Sequence, residues 1–331
     1  METMKAWVAR ERGRIALQQK RIPQPAADEV LVAVSACGVC RTDLHVIDRE
    51  LPVHRRNVTP GHQVIGTIEK IGKRVRWLSP GQQVGIAWLR RTCGTCAWCT
   101  NGRENLCPAS QYNGWDHDGG FAEYMTVPES FAYALPPGTD PLQFAPLLCA
   151  GIIGYRALAR AVLPAGGRLG IYGFGSSAHI TAQLARSFGA EIVAITRGHD
   201  NQVLAREMGA SFVGEERAKP PQPLDAAIVF APAGDLVPLA LEATTRGGTV
   251  VLAGIHMSDI PPMAYESHLF YERDLRTVTA NTRADGHAFL RVAHAIRLEP
   301  QVSSYAFDDA DAAISDLRQG RSSGSSVISV R

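Results

Sequence analysis

Four cysteines, Cys93, Cys96, Cys99 and Cys107, follow one another in a single short loop as C-x2-C-x2-C-x7-C. Thiols brought so close must either pair as disulfides or wrap around a metal. Four thiolates can surround one tetrahedral Zn2+ at about 2.3 Å each and close its shell. A closed shell leaves no room for substrate, so this site is expected to be structural. The remaining cysteines, Cys37, Cys40 and Cys149, lie outside the loop, and two of them can serve a second metal. The chain has 7 cysteines in all, an odd number. Its first residues are interrupted by Glu2, Lys5, Arg10, Glu11, Arg12 and Arg14, which leaves no apolar core for a secretory signal. The expectation is a reducing, cytoplasmic compartment, where clustered cysteines bind metal more often than they form disulfides.

At 331 residues and 45% hydrophobic, the chain can build one large domain or two ordinary ones. A net charge of +2 gives no basis for binding nucleic acid or an anionic membrane. The longest apolar run, 146–155, is too short to span a bilayer. The first 150 residues read as strands and turns. Runs 29–35 and 64–71 are β-branched, and Pro60-Gly61, Gly72 and Pro80-Gly81 punctuate them. After Gly151 the pattern changes to strands at 168–172, 191–196, 225–230 and 249–253, alternating with helices at 176–188, 201–208 and 236–243. That alternation implies parallel βαβ units and a doubly wound sheet. Residues 219–223, rich in proline, read as a surface connection. Residues 325–330 read as a strand that returns to the first domain.

The strand at 168–172 runs into Gly173-Phe174-Gly175-Ser176-Ser177-Ala178, which is G-x-G-x-x-A in strand–turn–helix context. Gly173 permits the tight turn, and Gly175 lets backbone approach a pyrophosphate seated at the helix N-terminus, which opens at Ser176. Ala178 lets the helix pack close to the sheet. A dinucleotide cofactor is expected. A carboxylate for the adenosine ribose should follow at the end of the next strand. Glu191 sits at the strand's other end, and the expected place holds Thr196 and Arg197. A hydroxyl and a guanidinium suit a 2′-phosphate, which tips the choice from NAD slightly towards NADP.

Two of the outlying cysteines and a histidine would leave a fourth position open on zinc, and an open zinc acts as a Lewis acid on an alcohol or carbonyl oxygen. Spacing alone does not say which of the 10 histidines binds, and Cys37 shares a C-x-x-C with Cys40. The segments Gly38-Val39-Cys40-Arg41-Thr42-Asp43-Leu44-His45 and Pro60-Gly61-His62 resemble the zinc-dependent alcohol dehydrogenases of the medium-chain dehydrogenase/reductase superfamily. So do the cysteine loop, Asp118-Gly119-Gly120-Phe121-Ala122-Glu123-Tyr124 and the glycine-rich turn, in family order through nearly the whole chain. Alcohol dehydrogenases are themselves the standard example of a catalytic zinc held by two cysteines and one histidine. The resemblance implies that Cys40, His62 and Cys149 bind the catalytic zinc and that Asp43 orients His62. It further implies that Thr42 takes the substrate proton, His45 passes it on, Arg41 meets the cofactor pyrophosphate and Trp88 lines the substrate pocket. One position departs from the family: Gln63 stands where a glutamate usually follows the ligand histidine, so the site keeps more positive charge.

The expected fold is α/β: a Rossmann doubly wound parallel sheet at 151–280, and a mostly β, GroES-like catalytic domain from 1–150 and 281–331, with the active site in the cleft between them. The expected function is zinc-dependent alcohol dehydrogenase, with two zinc ions per chain and NAD(P). The expected partners are a small alcohol, aldehyde or ketone and further copies of the chain, as a homodimer or homotetramer. Three readings compete. A polyol dehydrogenase is disfavoured by the large Trp88. A non-catalytic zinc protein has no use for Thr42 and His45. A nucleic-acid-binding zinc ribbon lacks the basic charge.

Overall fold

Strand Glu29–Val39 is apolar along nearly its whole length and buried on both faces, the pattern of a central strand. In the computed structural model, which describes residues 2–331, it lies inside a seven-stranded sheet. The order across that sheet is Val302–Ala306, Ser325–Ser329, Glu29–Val39, Gln63–Ile71, Gln83–Ile86 and Ala132–Ala134, and Tyr124–Pro128 also pairs with Glu29–Val39. Pairing is antiparallel except between Val302–Ala306 and Ser325–Ser329. The last strand sets Ile328 opposite Cys37. Val30, Val32, Val34, Ile68, Phe121 and Met125 centre the core here. The charge-rich N-terminus forms a hairpin of its own, Thr3–Glu11 with Arg14–Arg21.

A second sheet holds six strands: Arg168–Tyr172, Glu191–Ile195, Phe212–Gly214, Leu224–Val229, Thr244–Leu252 and Asp274–Thr277. All are parallel, and counted in that sequence their spatial order is 3-2-1-4-5-6. This is the doubly wound Rossmann order. Both faces are covered, and the strands show it by alternation. Leu169, Ile171, Ile192, Ala194, Ala226 and Ile228 fall in one apolar cluster, while Tyr172, Val193, Ile195, Ala227 and Val229 fall in another.

The chain divides into two compact units. The first takes the chain up to Cys149, then Ala280–His287 and Pro300–Arg331; the second takes Ala150–Thr279 and Ala288–Glu299. Against the expected boundary near residue 281, residues 288–299 cluster with the second unit. They follow local contacts. Arg283, at the start of helix Arg283–Ala295, is clamped in the first unit by Glu104, with Arg283 N–H to Oε1 at 2.8 Å and the guanidinium at 2.5–3.1 Å. Further on, Phe289 lies against Tyr155, and Gln183 Nε2 donates to Glu299 O at 3.0 Å, both within the second unit. Among the described residues no single helix is long and apolar enough to cross a membrane.

Candidate metal centre and cofactor turn

Strand Glu29–Val39 delivers Cys40, which caps the seven-residue helix Arg41–Ile47 in extended geometry. Asp43, at the third helical position and 1% exposed, accepts the Cys40 N–H through Oδ2 at 2.9 Å. Its other oxygen accepts the Gly61 N–H at 3.0 Å and meets His62 Nδ1 at 3.1 Å. One buried carboxylate thus fixes the loop that carries the first donor and the ring that carries the second. With Nδ1 facing Asp43, Nε2 of His62 is turned towards Cys40 Sγ, 3.3 Å away, the orientation in which it serves as a metal donor once its proton is displaced. Gly61 has to be glycine: its φ is +97°, and a Cβ would lie 2.6 Å from the Phe121 ring and 2.8 Å from Cys37 Sγ.

Cys149 follows the 3-10 turn Ala145–Leu148, and its sulfur completes a trio with Cys40 and His62 whose donor atoms all lie within 4.8 Å of one another. A hydrogen bond from the Cys149 thiol holds the Cys40 thiol well below its ordinary range against the penalty of burial, helped by His62 and the Thr42 hydroxyl. The same bond, with burial, pushes Cys149 up. Burial opposes charge on His62, but Asp43 and Cys40 outweigh it and raise its pKa well above the usual value. Negative charge thus falls on the Cys40 sulfur, with a second sulfur and an imidazole beside it, a donor set that suits a borderline-soft divalent cation. Cys37 is fully buried, and burial pushes its thiol up. Gln63, 2% exposed, packs its side chain on Gly38, where a Cβ would lie 2.9 Å from Oε1.

Thr42 and His45 are both buried on the same helix as Asp43, and Arg41 is exposed at its first position. His45 Nδ1 hydrogen-bonds the carboxylate of Glu50, whose side chain is 46% exposed. Sequence reasoning missed Glu50. Its signal was the turn after the helix, where the Glu50 N–H also donates to the His45 carbonyl at 2.9 Å. The Trp88 indole stands 6.3 Å from the His62 ring.

The other four cysteines also converge. Cys93 Sγ is 3.9 Å from Cys99 Sγ, and Cys96 Sγ is 3.6 Å from Cys99 Sγ. Tetrahedral zinc with bonds of about 2.3 Å sets its ligand sulfurs about 3.8 Å apart, so the donor set fits the ion. All seven cysteines are free. Backbone N–H groups of Thr95 and Cys96 aimed at Cys93 lower its thiol to about 6.

In the second unit, Gly173 has φ +85° and lies so close to Ala231 that a Cβ would be 2.9 Å away. Gly175, which caps helix Ser176–Ser187, has no atom within 4 Å of where its Cβ would stand, so the approach to the helix N-terminus from that side is open. Ser176 begins the helix, and Ala178 is fully buried against the sheet. Thr196 is 3% exposed, and its hydroxyl accepts the Phe174 N–H at 3.1 Å, bracing the glycine turn. Arg197 is exposed beside it. Glu191 is engaged at the far end of the strand by Arg168 and Ser211.

Known proteins are similar to the chain along nearly its whole length. Residues 26–137 match the family model "Alcohol dehydrogenase GroES-like domain" and residues 178–295 match "Zinc-binding dehydrogenase". The chain is 53% identical to "Probable alcohol dehydrogenase AdhA" of Mycobacterium tuberculosis, over 98% of this chain and 97% of that protein. It is 31% identical to an alcohol dehydrogenase of Geobacillus stearothermophilus, over 99% of both. A structure from Sinorhizobium meliloti 1021, described as a zinc-binding dehydrogenase bound to NADP, superposes with a TM-score of 0.89 at 28% identity, covering 100% of each chain.

Proposed function

This chain belongs to the zinc-dependent alcohol dehydrogenase family, and from that premise we propose that it transfers hydride reversibly between an alcohol and NAD(P), with an aldehyde or ketone in the reverse direction. The observation that carries this reading is the convergence of Cys40, His62 and Cys149 beside a helix that also bears Thr42, Asp43 and His45. Two thiolates and an imidazole leave a fourth position for substrate oxygen. Zinc bound there supplies Lewis acidity towards the hydroxyl, and NAD(P) supplies the hydride acceptor. The protein's own residues do the rest. Asp43 keeps the donor nitrogen of His62 in place. Thr42 Oγ1 takes the hydroxyl proton, His45 carries it away, and Glu50 releases it to water. Trp88 lines the substrate pocket.

The turn from Gly173 through Ala178 holds the dinucleotide, with Arg41 on its pyrophosphate. Arg197 draws a 2′-phosphate, which favours NADP; this rests on Arg197 alone, since Thr196 is otherwise engaged. A second zinc sits in the four-cysteine lobe, making two per chain. Exposed Ile255, Ile260, Tyr265 and Phe270 support assembly into a homodimer or homotetramer, and seven free thiols support a reducing cytoplasm.

The test is alcohol-dependent reduction of NADP and NAD by the purified protein, with zinc counted in the same sample. Cys40→Ser and His62→Ala should each abolish turnover while the nucleotide still binds. Near-normal turnover in either variant would overturn the assignment.

A further inference from the structure

We propose that the alcohol site is built for flat, unsaturated substrates, namely aryl and conjugated alcohols and their aldehydes. The inference rests on the dehydrogenase reading and narrows its substrate. Four rings stand in a stack that begins at the metal donors. The Trp88 indole is 6.3 Å from the His62 imidazole, tilted by 55°. Tyr112 stacks on Trp88 at 4.1 Å. Trp115 lies 6.1 Å from Trp88 with planes 16° apart, and His54 stacks on Trp115 at 4.0 Å and 12°. The outer rings are pinned: Trp115 Nε1 donates to Pro52 O at 2.8 Å, and Asp116 joins His54 Nδ1 to the Tyr112 N–H, each at 2.8 Å. Trp88 is held by stacking, for its own buried Nε1 has no hydrogen-bond partner among the described residues.

A wall of interlocked rings cannot curl around a bulky aliphatic group, and it presents π faces and edges beside the reacting centre. The polar tips of its outer rings are engaged, Tyr112 Oη by Ser110 Oγ at 2.9 Å and Trp115 Nε1 by Pro52 O, and the Trp88 Nε1 is buried, so a polyol finds little on it to bind. A planar π-substituent on the carbinol carbon gains offset or edge-on ring contacts that a saturated ring of equal size does not. Such contacts are worth roughly two- to tenfold in affinity. Trp88 is the ring that meets the substrate; Tyr112, Trp115 and His54 are positioning residues that hold it flat.

The experiment compares benzamide with cyclohexanecarboxamide, two non-reacting analogues, by calorimetric titration of the zinc-loaded protein with cofactor bound. Hydrophobicity alone favours the saturated ring, so tighter binding of benzamide, by about fivefold, is the expected mark of ring stacking. Benzyl alcohol should exceed cyclohexylmethanol in kcat/KM by at least as much. Trp115→Leu should bring the ratio of Kd values to about one, and Trp115→Phe should retain most of it. Should Trp115→Leu fail to fold, Trp88→Leu carries the same expectation. Equal Kd values in the wild type, or a ratio untouched by either leucine variant, overturns the proposal. No turnover with any alcohol, alongside a retained preference for benzamide, strikes down the dehydrogenase reading and leaves the aryl site standing.

Discussion

Asp43 shows how much one side chain can fix. Its two oxygens hold the Cys40 N–H, the Gly61 N–H and the His62 ring, so two of the three proposed metal donors depend on it. Glu50 has a comparable place at the outer end of the proposed relay, where His45 Nδ1 meets a carboxylate open to water. Replacing Glu50 by Gln keeps the shape and removes the base. We expect kcat for alcohol oxidation to fall about tenfold at low pH and to recover as hydroxide becomes available. A pH profile of kcat identical to wild type would show that protons leave by another route. In the proposed reading, Arg197 governs cofactor choice by charge. A charge-assisted contact to a 2′-phosphate is worth about 1.5–3 kcal/mol, so Arg197→Ala should raise KM for NADP roughly ten- to a hundredfold and leave NAD unchanged. A wild-type enzyme already more efficient with NAD would make Arg197 a plain surface charge.

The cysteine lobe and helix Ser176–Ser187 each carry groups that can couple metal or proton binding to folding. In the lobe, Cys96→Ser would remove one thiolate from the proposed zinc shell, whose binding energy would contribute to folding. The variant should lose one zinc and melt lower, whereas a variant that retained both zincs and its Tm would disprove a metal in the lobe. Helix Ser176–Ser187 carries His179, fully buried, with Nδ1 on the Gly175 carbonyl at 3.1 Å. Burial lowers its pKa from 6.5 to about 4 although that hydrogen bond works the other way. The unfolded chain therefore takes up a proton first. The stability of the second unit is full above about pH 6.5 and falls as pH drops towards 4, by about 3 kcal/mol in all from this one ring. His179→Leu should flatten that part of the Tm–pH curve. An unchanged slope would mean that another group titrates there.

Each unit has its own core: the mixed sheet packs around Val30, Val32 and Phe121, the parallel sheet around Leu169, Ile171 and Ile228. Both candidate metal sets lie in the first unit. Removing zinc with a chelator should accordingly speed amide hydrogen exchange around residues 40, 62, 149 and 93–107 and leave the six parallel strands protected. Uniform loss of protection in both sheets would show that the units do not unfold independently.

The cysteine loop, the G-x-G-x-x-A turn and the strand–helix alternation after Gly151 were legible in the sequence because each is local: ligand spacing, glycine conformations and hydrophobic period are written within a few residues. So were Cys40 and His62, once the motifs around them pointed to a family. Other features depended on parts of the chain that meet only on folding. Glu50 faces His45 because the chain turns back after a short helix. Thr196 braces Phe174 because two parallel strands put its hydroxyl beside the glycine turn, 22 residues away in sequence. The stack of Trp88, Tyr112, Trp115 and His54 gathers residues from three separate stretches of the chain. Residues 288–299 join the second unit through Tyr155 and Gln183. Local pattern determined which chemistry the chain can perform. Tertiary packing decided how its side chains are oriented, because a distant neighbour such as Asp43 fixes which atom of His62 is turned towards the other donors.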